Sequence, residues 1–172
     1  MNREELFDKL KQADEEIFMI CGNERRIDII IVGGSSLIIR GLLSRQTPDI
    51  DVLNFYHNLE SVFNKYDMNS RVLAFGESFA ENYEDRLENV DIETKVINYK
   101  MISLEDLVIM KLHSTRPKDK EDITSPDVLT SLNWDKLDSI VQSGEVDVSF
   151  NERQYRLFIE NYEKYKKEYR PK

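Results

Sequence analysis

A short apolar run that ends in two glycines constrains the fold of this chain more than any other feature. Residues 29–32 read Ile-Ile-Ile-Val and are followed by Gly33 and Gly34. A run of branched apolar residues is typical of a strand buried on both faces, and adjacent glycines let the backbone turn sharply. The sequence therefore predicts a buried strand that leads directly into a tight turn.

Two acidic residues occur one residue apart after this turn. The segment Asp49-Ile50-Asp51-Val52 alternates acidic and apolar side chains, and alternate residues of a strand point to the same face. Asp49 and Asp51 are therefore predicted to share one face of a strand over residues 49–55. Neighbouring carboxylates repel each other unless a cation or a proton lies between them. The alternative is a solvated strand face, which the interleaved apolar residues disfavour.

The remaining pattern predicts a single domain over residues 1–172, with a core over about 27–123 and a C-terminal helical part over about 124–172. Helical spacing and capping residues predict helices over 2–20, 37–43, 57–66, 103–112, 126–143 and 151–169. Further strands are predicted over 72–75 and 90–99, with 78–87 either helix or loop. This order of elements predicts an α/β (α+β) fold with a small mixed sheet.

Composition excludes several classes of function. The formal net charge of −9 disfavours general binding to nucleic acid or anionic lipid. The single cysteine, Cys21, permits neither an internal disulfide nor a multi-thiolate metal cluster. His57 and His113 lie far apart and are expected to be surface or packing residues. No segment reaches the roughly 18 apolar residues that span a bilayer, so we expect a cytoplasmic protein without a membrane partner.

Two segments together resemble a known superfamily. The strand, Gly33-Gly34-Ser35 and the Asp49-to-Val52 segment resemble, in order and spacing, the signature of the DNA polymerase β-like nucleotidyltransferases. A second segment, from Lys111-Leu112 to Asp122-Ile123, is similar to one in uncharacterised and abortive-infection-type members. The resemblance covers residues 27 to 123. It implies a small mixed sheet flanked by helices, and transfer of a nucleoside monophosphate from a nucleoside triphosphate to an acceptor.

The resemblance also implies roles for the residues of the first segment. Asp49 and Asp51 would bind two Mg²⁺ ions, which align the acceptor and stabilise the departing pyrophosphate. The backbone of the turn at Gly33 and Gly34, with the hydroxyl of Ser35, would hold the triphosphate. The alternative for the glycines is a tight turn without a ligand, since such pairs mark turns in many proteins.

The family generally supplies a third carboxylate from a later strand. Glu93 is the predicted residue and Asp91 the alternative, because the two would share a face of the strand predicted over residues 90–99. A third possibility is that neither residue reaches the site, which would leave the chain without a complete catalytic set.

Six further residues are predicted at the site, Lys111 to bind the nucleotide and five others to support it. Lys111 could direct its ammonium group to phosphate, with Asp119 or Asp122 as an ion-pair partner; the alternative is a lysine whose stem packs on apolar surface within a network of surface charges. Arg116 belongs to the same segment. Arg45 and Thr47 precede the acidic strand, where they would steady the loop or contact phosphate.

These observations predict a magnesium-dependent nucleotidyltransferase with a nucleoside triphosphate as its partner. The acceptor is left open between a transfer RNA, a protein and a small molecule. By analogy alone, the protein would be one component of a toxin-antitoxin or phage-defence system with a cognate protein such as an antitoxin. The alternatives are a non-catalytic nucleotide-binding or regulatory module on the same fold, and an assembly protein.

Overall fold

The structure is a computed structural model that describes residues 1–23, 26–54, 56–71, 79–146 and 151–171. The chain divides into two compact units, the first formed by residues 1–75 and 87–102 and the second by residues 76–86 and 103–172.

The first unit contains three helices and two small sheets among its described residues. Its helices are α1 (Arg3–Cys21), α2 (Gly33–Ile39) and α3 (Glu60–Lys65). Its strands are β1 (Ile27–Ile31), β2 (Ile50–Asp51), β3 (Met68–Asn69), β4 (Glu88–Asn89) and β5 (Ile97–Met101). β5 lies between β1, to which it is parallel, and β4, to which it is antiparallel. β2 and β3 form a parallel pair.

Helix α1 packs one apolar face onto the core of this unit. Asn2 and Glu5 form the capping box that opens the helix, each side chain bonding the other's backbone N–H. Residues at helical spacing are buried along it, namely Leu6, Leu10, Ala13 and Ile17. The same core contains the apolar side chains of β1 and β5, so burial of one helix face positions both central strands.

A buried carboxylate from α1 fixes the start of β5. Asp14 is 2% exposed and accepts backbone N–H groups from Lys95 (2.6 Å), Val96 (2.9 Å) and Ile97 (2.8 Å). An unpaired buried amide is costly, and the Asp14 carboxylate supplies an acceptor for three of them. The contact therefore sets where β5 begins, and β1 takes its register from β5, with Ile27 opposite Ile97.

The second unit is helical in its described residues. It contains α4 (Leu104–His113), α5 (Pro117–Ile123), α6 (Pro126–Ser131), α7 (Trp134–Gln142) and α8 (Glu152–Tyr169), with a 3₁₀ turn at Tyr83–Arg86. The Arg86 guanidinium donates two hydrogen bonds of 2.8 Å to the buried carboxylate of Asp106 and lies 2.9 Å from Glu145. The bidentate ion pair of Arg86 with Asp106 attaches the 3₁₀ turn to the start of α4.

The predicted mixed α/β fold is confirmed, while several predicted boundaries are wrong. Of the strand predicted over 90–99, only residues 97–99 are strand, at the start of β5 (Ile97–Met101), and β4 (Glu88–Asn89) ends before the predicted range begins. The helix predicted over 126–143 is α6 and α7, with a break at Leu132 and Asn133. Helix α2 begins at Gly33, four residues earlier than predicted. The predicted strand over 72–75 lies outside the described residues.

Three elements, α5, β3 and β4, were not predicted. Pro117 occupies the first turn of α5, where its missing N–H has no intrahelical role. β3 is only two residues long, too short to show a period. None of the helices in the described parts of the chain combines the length and apolar character that crossing a membrane requires.

Candidate active site

Asp51 lies beside the glycine turn because Val52, the residue after β2, forms an antiparallel bridge with Ile31 at the end of β1. The backbone N–H of Val32 donates to the carbonyl of Asp51, and that of Leu53 donates to Ile30, both at 2.9 Å. A bridge between Ile31 and Val52 lies between these bonds. The pairing joins the segment that precedes the glycines to the segment that carries the acids.

The Asp51 carboxylate lies directly against Gly33. A Cβ atom added at Gly33 would be 2.6 Å from Oδ2 of Asp51, closer than nonbonded atoms approach, and the glycine φ angle is +65°. Only glycine adopts this backbone conformation without strain. Gly33 is therefore required both by the turn and by the position of the acidic side chain.

Arg45 brings positive charge to the same turn. A Cβ atom added at Gly34 would lie 3.1 Å from a terminal nitrogen of the Arg45 guanidinium. Arg45 is half-buried, and it also donates to the Gln46 carbonyl at 3.4 Å. The structure thus places a cation and a carboxylate against consecutive glycines, an arrangement the sequence did not specify.

Ser35 and Thr47 make backbone contacts within the site. The Ser35 hydroxyl donates to the carbonyl of Val32 at 2.8 Å, and the residue is 1% exposed. The Thr47 hydroxyl donates to the carbonyl of Asp49 at 3.1 Å, and its N–H donates to Met1. Thr47 therefore steadies the loop ahead of the acidic strand. The predicted contact of Ser35 with phosphate stays a prediction.

Asn69 faces the acidic pair from the neighbouring strand, and sequence reasoning missed it. In the parallel register of β2 and β3, Asn69 lies opposite Asp51. Its Nδ2 donates to Oδ2 of Asp49 at 3.0 Å. The available signal was topological: a strand followed by a helix is commonly followed by a parallel strand. The first polar residue of that strand then lies beside the acids.

The structure does not bring Glu93 or Asp91 to the acidic pair. Both are exposed and lie in the extended chain between β4 and β5. Glu93 precedes Thr94, whose carbonyl accepts a 2.7 Å hydrogen bond from Arg26 at the amino end of β1. Gly33 follows the carboxyl end of β1, so Glu93 and the glycine turn are at opposite ends of this strand. The strand predicted over 90–99 begins only at Ile97, so Glu93 lies before it.

Lys111 is the centre of a buried ion cluster in the second unit. Its ammonium group lies 2.6 Å from Asp119 and 2.8 Å from Asp122. All three side chains are at most 5% exposed. Asp119 also accepts hydrogen bonds of 2.6 Å from Ser114 and from Arg116. The ion pairing expected for Lys111 is present, but it is buried and not on the surface.

The cluster lowers the pKa of Asp119. Burial acts to raise the pKa of Asp119, but the charge and hydrogen bonds of Lys111, with those of Ser114 and Arg116, outweigh it and hold the pKa below its ordinary value. The ion pairs of Lys111 with Asp119 and Asp122 thus join α4 to α5. Contact between Lys111 and a nucleotide stays a prediction.

The acidic pair fits a magnesium ion that is shared with a nucleotide. Mg²⁺ at phosphate sites is held by one or two carboxylates together with substrate oxygens and water, and Asp51 in β2 and Asp49 just before β2 supply such carboxylates. Within the described residues, no group of three or more His, Cys, Asp or Glu side chains is arranged to hold a metal. A second ion would therefore depend on ligands beyond this pair.

Comparison with known families gives one match. Residues 8–170 match the family described as "Nucleotidyltransferase of unknown function (DUF6036)". No curated protein and no solved structure matches the chain.

Proposed function

Because this chain belongs to that family of nucleotidyltransferases of unknown function, we propose that it transfers a nucleoside monophosphate from a nucleoside triphosphate, in a magnesium-dependent reaction. One observation carries the proposal: the Asp51 carboxylate, two residues after Asp49, lies against Gly33. A carboxylate pair beside a glycine turn places cation ligands next to backbone that a phosphate can approach closely.

The residues of the turn would bind and orient the nucleotide. Gly33 and Gly34 carry no side chains that block the approach of a triphosphate, and the guanidinium of Arg45 beside Gly34 supplies donors suited to phosphate oxygens. Asp49 and Asp51 would hold the Mg²⁺. When bound, the ion neutralises negative charge on the phosphates and favours attack by the acceptor.

The reaction itself is a substitution at the α-phosphorus. The acceptor oxygen forms a bond to this phosphorus, and the bond from the phosphorus to the bridging oxygen of the β-phosphate breaks. Pyrophosphate leaves with the electron pair of that bond, and the acceptor proton passes to water. The chain's own contribution is to hold the reacting groups close together and in line.

A second candidate function is a nucleotide-binding module without transfer activity. The observation in its favour is that Glu93 does not lie at the acidic pair and that the described residues contain no three-acid cluster. Such a module would bind the nucleotide and its cation and release them unchanged.

A transfer assay separates the two functions. The protein is incubated with each α-³²P-labelled nucleoside triphosphate, Mg²⁺ and a cell extract, and labelled RNA, protein and small molecules are resolved. Transfer activity predicts a labelled product that is absent from an Asp49→Ala/Asp51→Ala variant. Binding without any product supports the module. Neither binding nor transfer contradicts both proposals and leaves a scaffold for assembly.

Isothermal titration supplies the binding half of this test. Nucleoside triphosphate should bind only with Mg²⁺ present, and the Asp49→Ala/Asp51→Ala variant should not bind. Asp91→Ala and Glu93→Ala are matched controls, since both residues are exposed acids of the same unit. If the control variants lose binding as well, the site lies elsewhere.

We further propose a cognate partner, on the resemblance of residues 111–123 to abortive-infection-type proteins. The partner would be a second protein of a phage-defence or toxin-antitoxin pair. Expression of the chain alone should then slow growth of a host cell, and expression with its antitoxin should restore it. Growth unaffected by the chain at high expression would contradict this role.

A further inference from the structure

The amide of Asn69 occupies the strand position that faces both acids. β3 is the strand that pairs with β2, and its register sets Asn69 opposite Asp51. In a parallel pair, residues opposite each other present side chains to the same face. The hydrogen bond from Asn69 Nδ2 to Asp49 Oδ2, 3.0 Å long, confirms this orientation. A carboxylate at residue 69 would thus be the third acid of the site, and this chain has an amide there.

Hydrogen bonding fixes which end of the Asn69 side chain faces the acids. Its Oδ1 accepts the backbone N–H of Arg71 at 3.0 Å. A carboxylate has no proton to donate to this oxygen, so the nitrogen must be the atom that faces Asp49. The backbone carbonyl of Asn69 is also engaged, by the N–H of Val52 at 2.9 Å. Both the side chain and the backbone of Asn69 are therefore held by hydrogen bonds, and the side-chain Nδ2 group is the donor that faces Asp49.

We propose that Asn69 is a positioning residue, which holds the Asp49 carboxylate in place and leaves the cation site incomplete until a nucleotide supplies the remaining ligands. This inference rests on the proposed function of the site. The physical basis of the inference is the charge of the side chain at residue 69. An amide donor satisfies an oxygen of Asp49 without adding negative charge, whereas a third carboxylate would favour a cation even when no nucleotide is bound.

Two consequences follow for the wild-type protein. Without a nucleotide, Mg²⁺ or Mn²⁺ should bind only weakly, because few protein ligands are offered to an ion that needs about six. With a nucleoside triphosphate, the cation and the phosphates should bind together. Binding of each should then strengthen that of the other by the same factor, as thermodynamic linkage requires.

Substitution of Asn69 separates positioning from mere packing. In Asn69→Ala the hydrogen bond to Asp49 is lost, and we expect affinity for the magnesium nucleotide to fall about tenfold, as is typical when a partner of a metal ligand is removed. In Asn69→Asp, Mn²⁺ without nucleotide should bind at least about tenfold more tightly than in the wild type, measured by electron paramagnetic resonance of free Mn²⁺. The thermal midpoint of this variant should fall in chelator and recover when Mg²⁺ is added.

Asn98→Ala is the matched control. Asn98 also donates from Nδ2 to an aspartate, Asp28, at 2.9 Å, and it lies in the same unit. Its substitution should leave the binding of cations and nucleotides unchanged. A general effect of losing such a bond would instead appear in both alanine variants.

The outcomes distinguish this inference from the proposed function. If the wild type binds no magnesium nucleotide, the proposed function fails. If the wild type binds it and Asn69→Ala binds equally well, the positioning role is overturned. If Asn69→Asp gains no affinity for Mn²⁺ over the wild type, the position does not face a cation site. The measurement of Mn²⁺ binding to Asn69→Asp requires neither nucleotide nor activity, and it remains informative even where the alanine variant folds poorly.

Discussion

Replacement of Gly33 by alanine tests the geometry on which the site depends. Two costs are expected. The φ angle of +65° places alanine in the left-handed region, at about 1–2 kcal/mol. The new Cβ would also lie 2.6 Å from Oδ2 of Asp51, so the carboxylate must rotate away, at about 1 kcal/mol for a strained side chain. Gly33→Ala should therefore lower the free energy of unfolding by about 2–3 kcal/mol.

Gly41→Ala is the control that isolates the contact with Asp51. Gly41 has a similar φ of +73°, but nothing lies within 4 Å of an added Cβ atom. Its substitution should therefore cost only the backbone term, about 1–2 kcal/mol. The difference between the two variants, about 1 kcal/mol, measures the displacement of the acidic side chain.

Urea unfolding followed by far-UV circular dichroism measures both free energies. The single tryptophan, Trp134, lies in the second unit, so its fluorescence shows whether that unit is affected. Titration with magnesium nucleotide completes the assay: Gly33→Ala should lose binding, and Gly41→Ala should retain it. Equal destabilisation and equal affinity in the two variants would refute the placement of Asp51 against the turn.

Three further predictions concern buried acids and their partners. Asp14→Ala leaves three backbone N–H groups of residues 95–97 without their acceptor, so the free energy of unfolding should fall by about 3 kcal/mol or more; a loss below about 1 kcal/mol by urea unfolding would contradict the role of Asp14 in setting the start of β5. Lys111→Met removes the buried cation that Asp119 and Asp122 share and should cost about 3–5 kcal/mol; a neutral result would contradict a stabilising role for this ion cluster. Because the pKa of Asp119 is lowered, its contribution is present above the unfolded pKa of about 3.9 and is lost as the pH falls through the lower folded value. Trp134 fluorescence should thus report a weaker second unit below about pH 4, with a shallower pH dependence in Asp119→Asn.

The acidic pair and the glycine turn could be predicted from the sequence, because both depend on short stretches of chain. The alternation of acidic and apolar side chains placed Asp49 and Asp51 on one strand face, and the glycines marked the turn against which Asp51 lies. Both features arise from backbone period and from steric freedom within a short stretch of chain. The mixed α/β fold followed from the order of apolar segments for the same reason.

The residue that lies beside Asp49 and Asp51 could not be predicted in the same way, because its place depends on contacts between distant parts of the chain. The apolar and acidic pattern of residues 90–99 suggested one strand with Glu93 upon it. The structure begins β5 only at Ile97, where a carboxylate from α1 holds the backbone of residues 95–97. Asn69 was missed because its strand has two residues and carries no periodic signal. Its relation to Asp51 exists only once β3 pairs with β2.

The most direct test of the central claim is a crystal structure with a non-hydrolysable nucleoside triphosphate analogue and Mn²⁺, in which anomalous scattering locates the ion. The account predicts an anomalous peak coordinated by the carboxylates of Asp49 and Asp51 and by the triphosphate, with the phosphates against Gly33 and Gly34. A nucleotide bound elsewhere, or an ion that contacts neither aspartate, would contradict it.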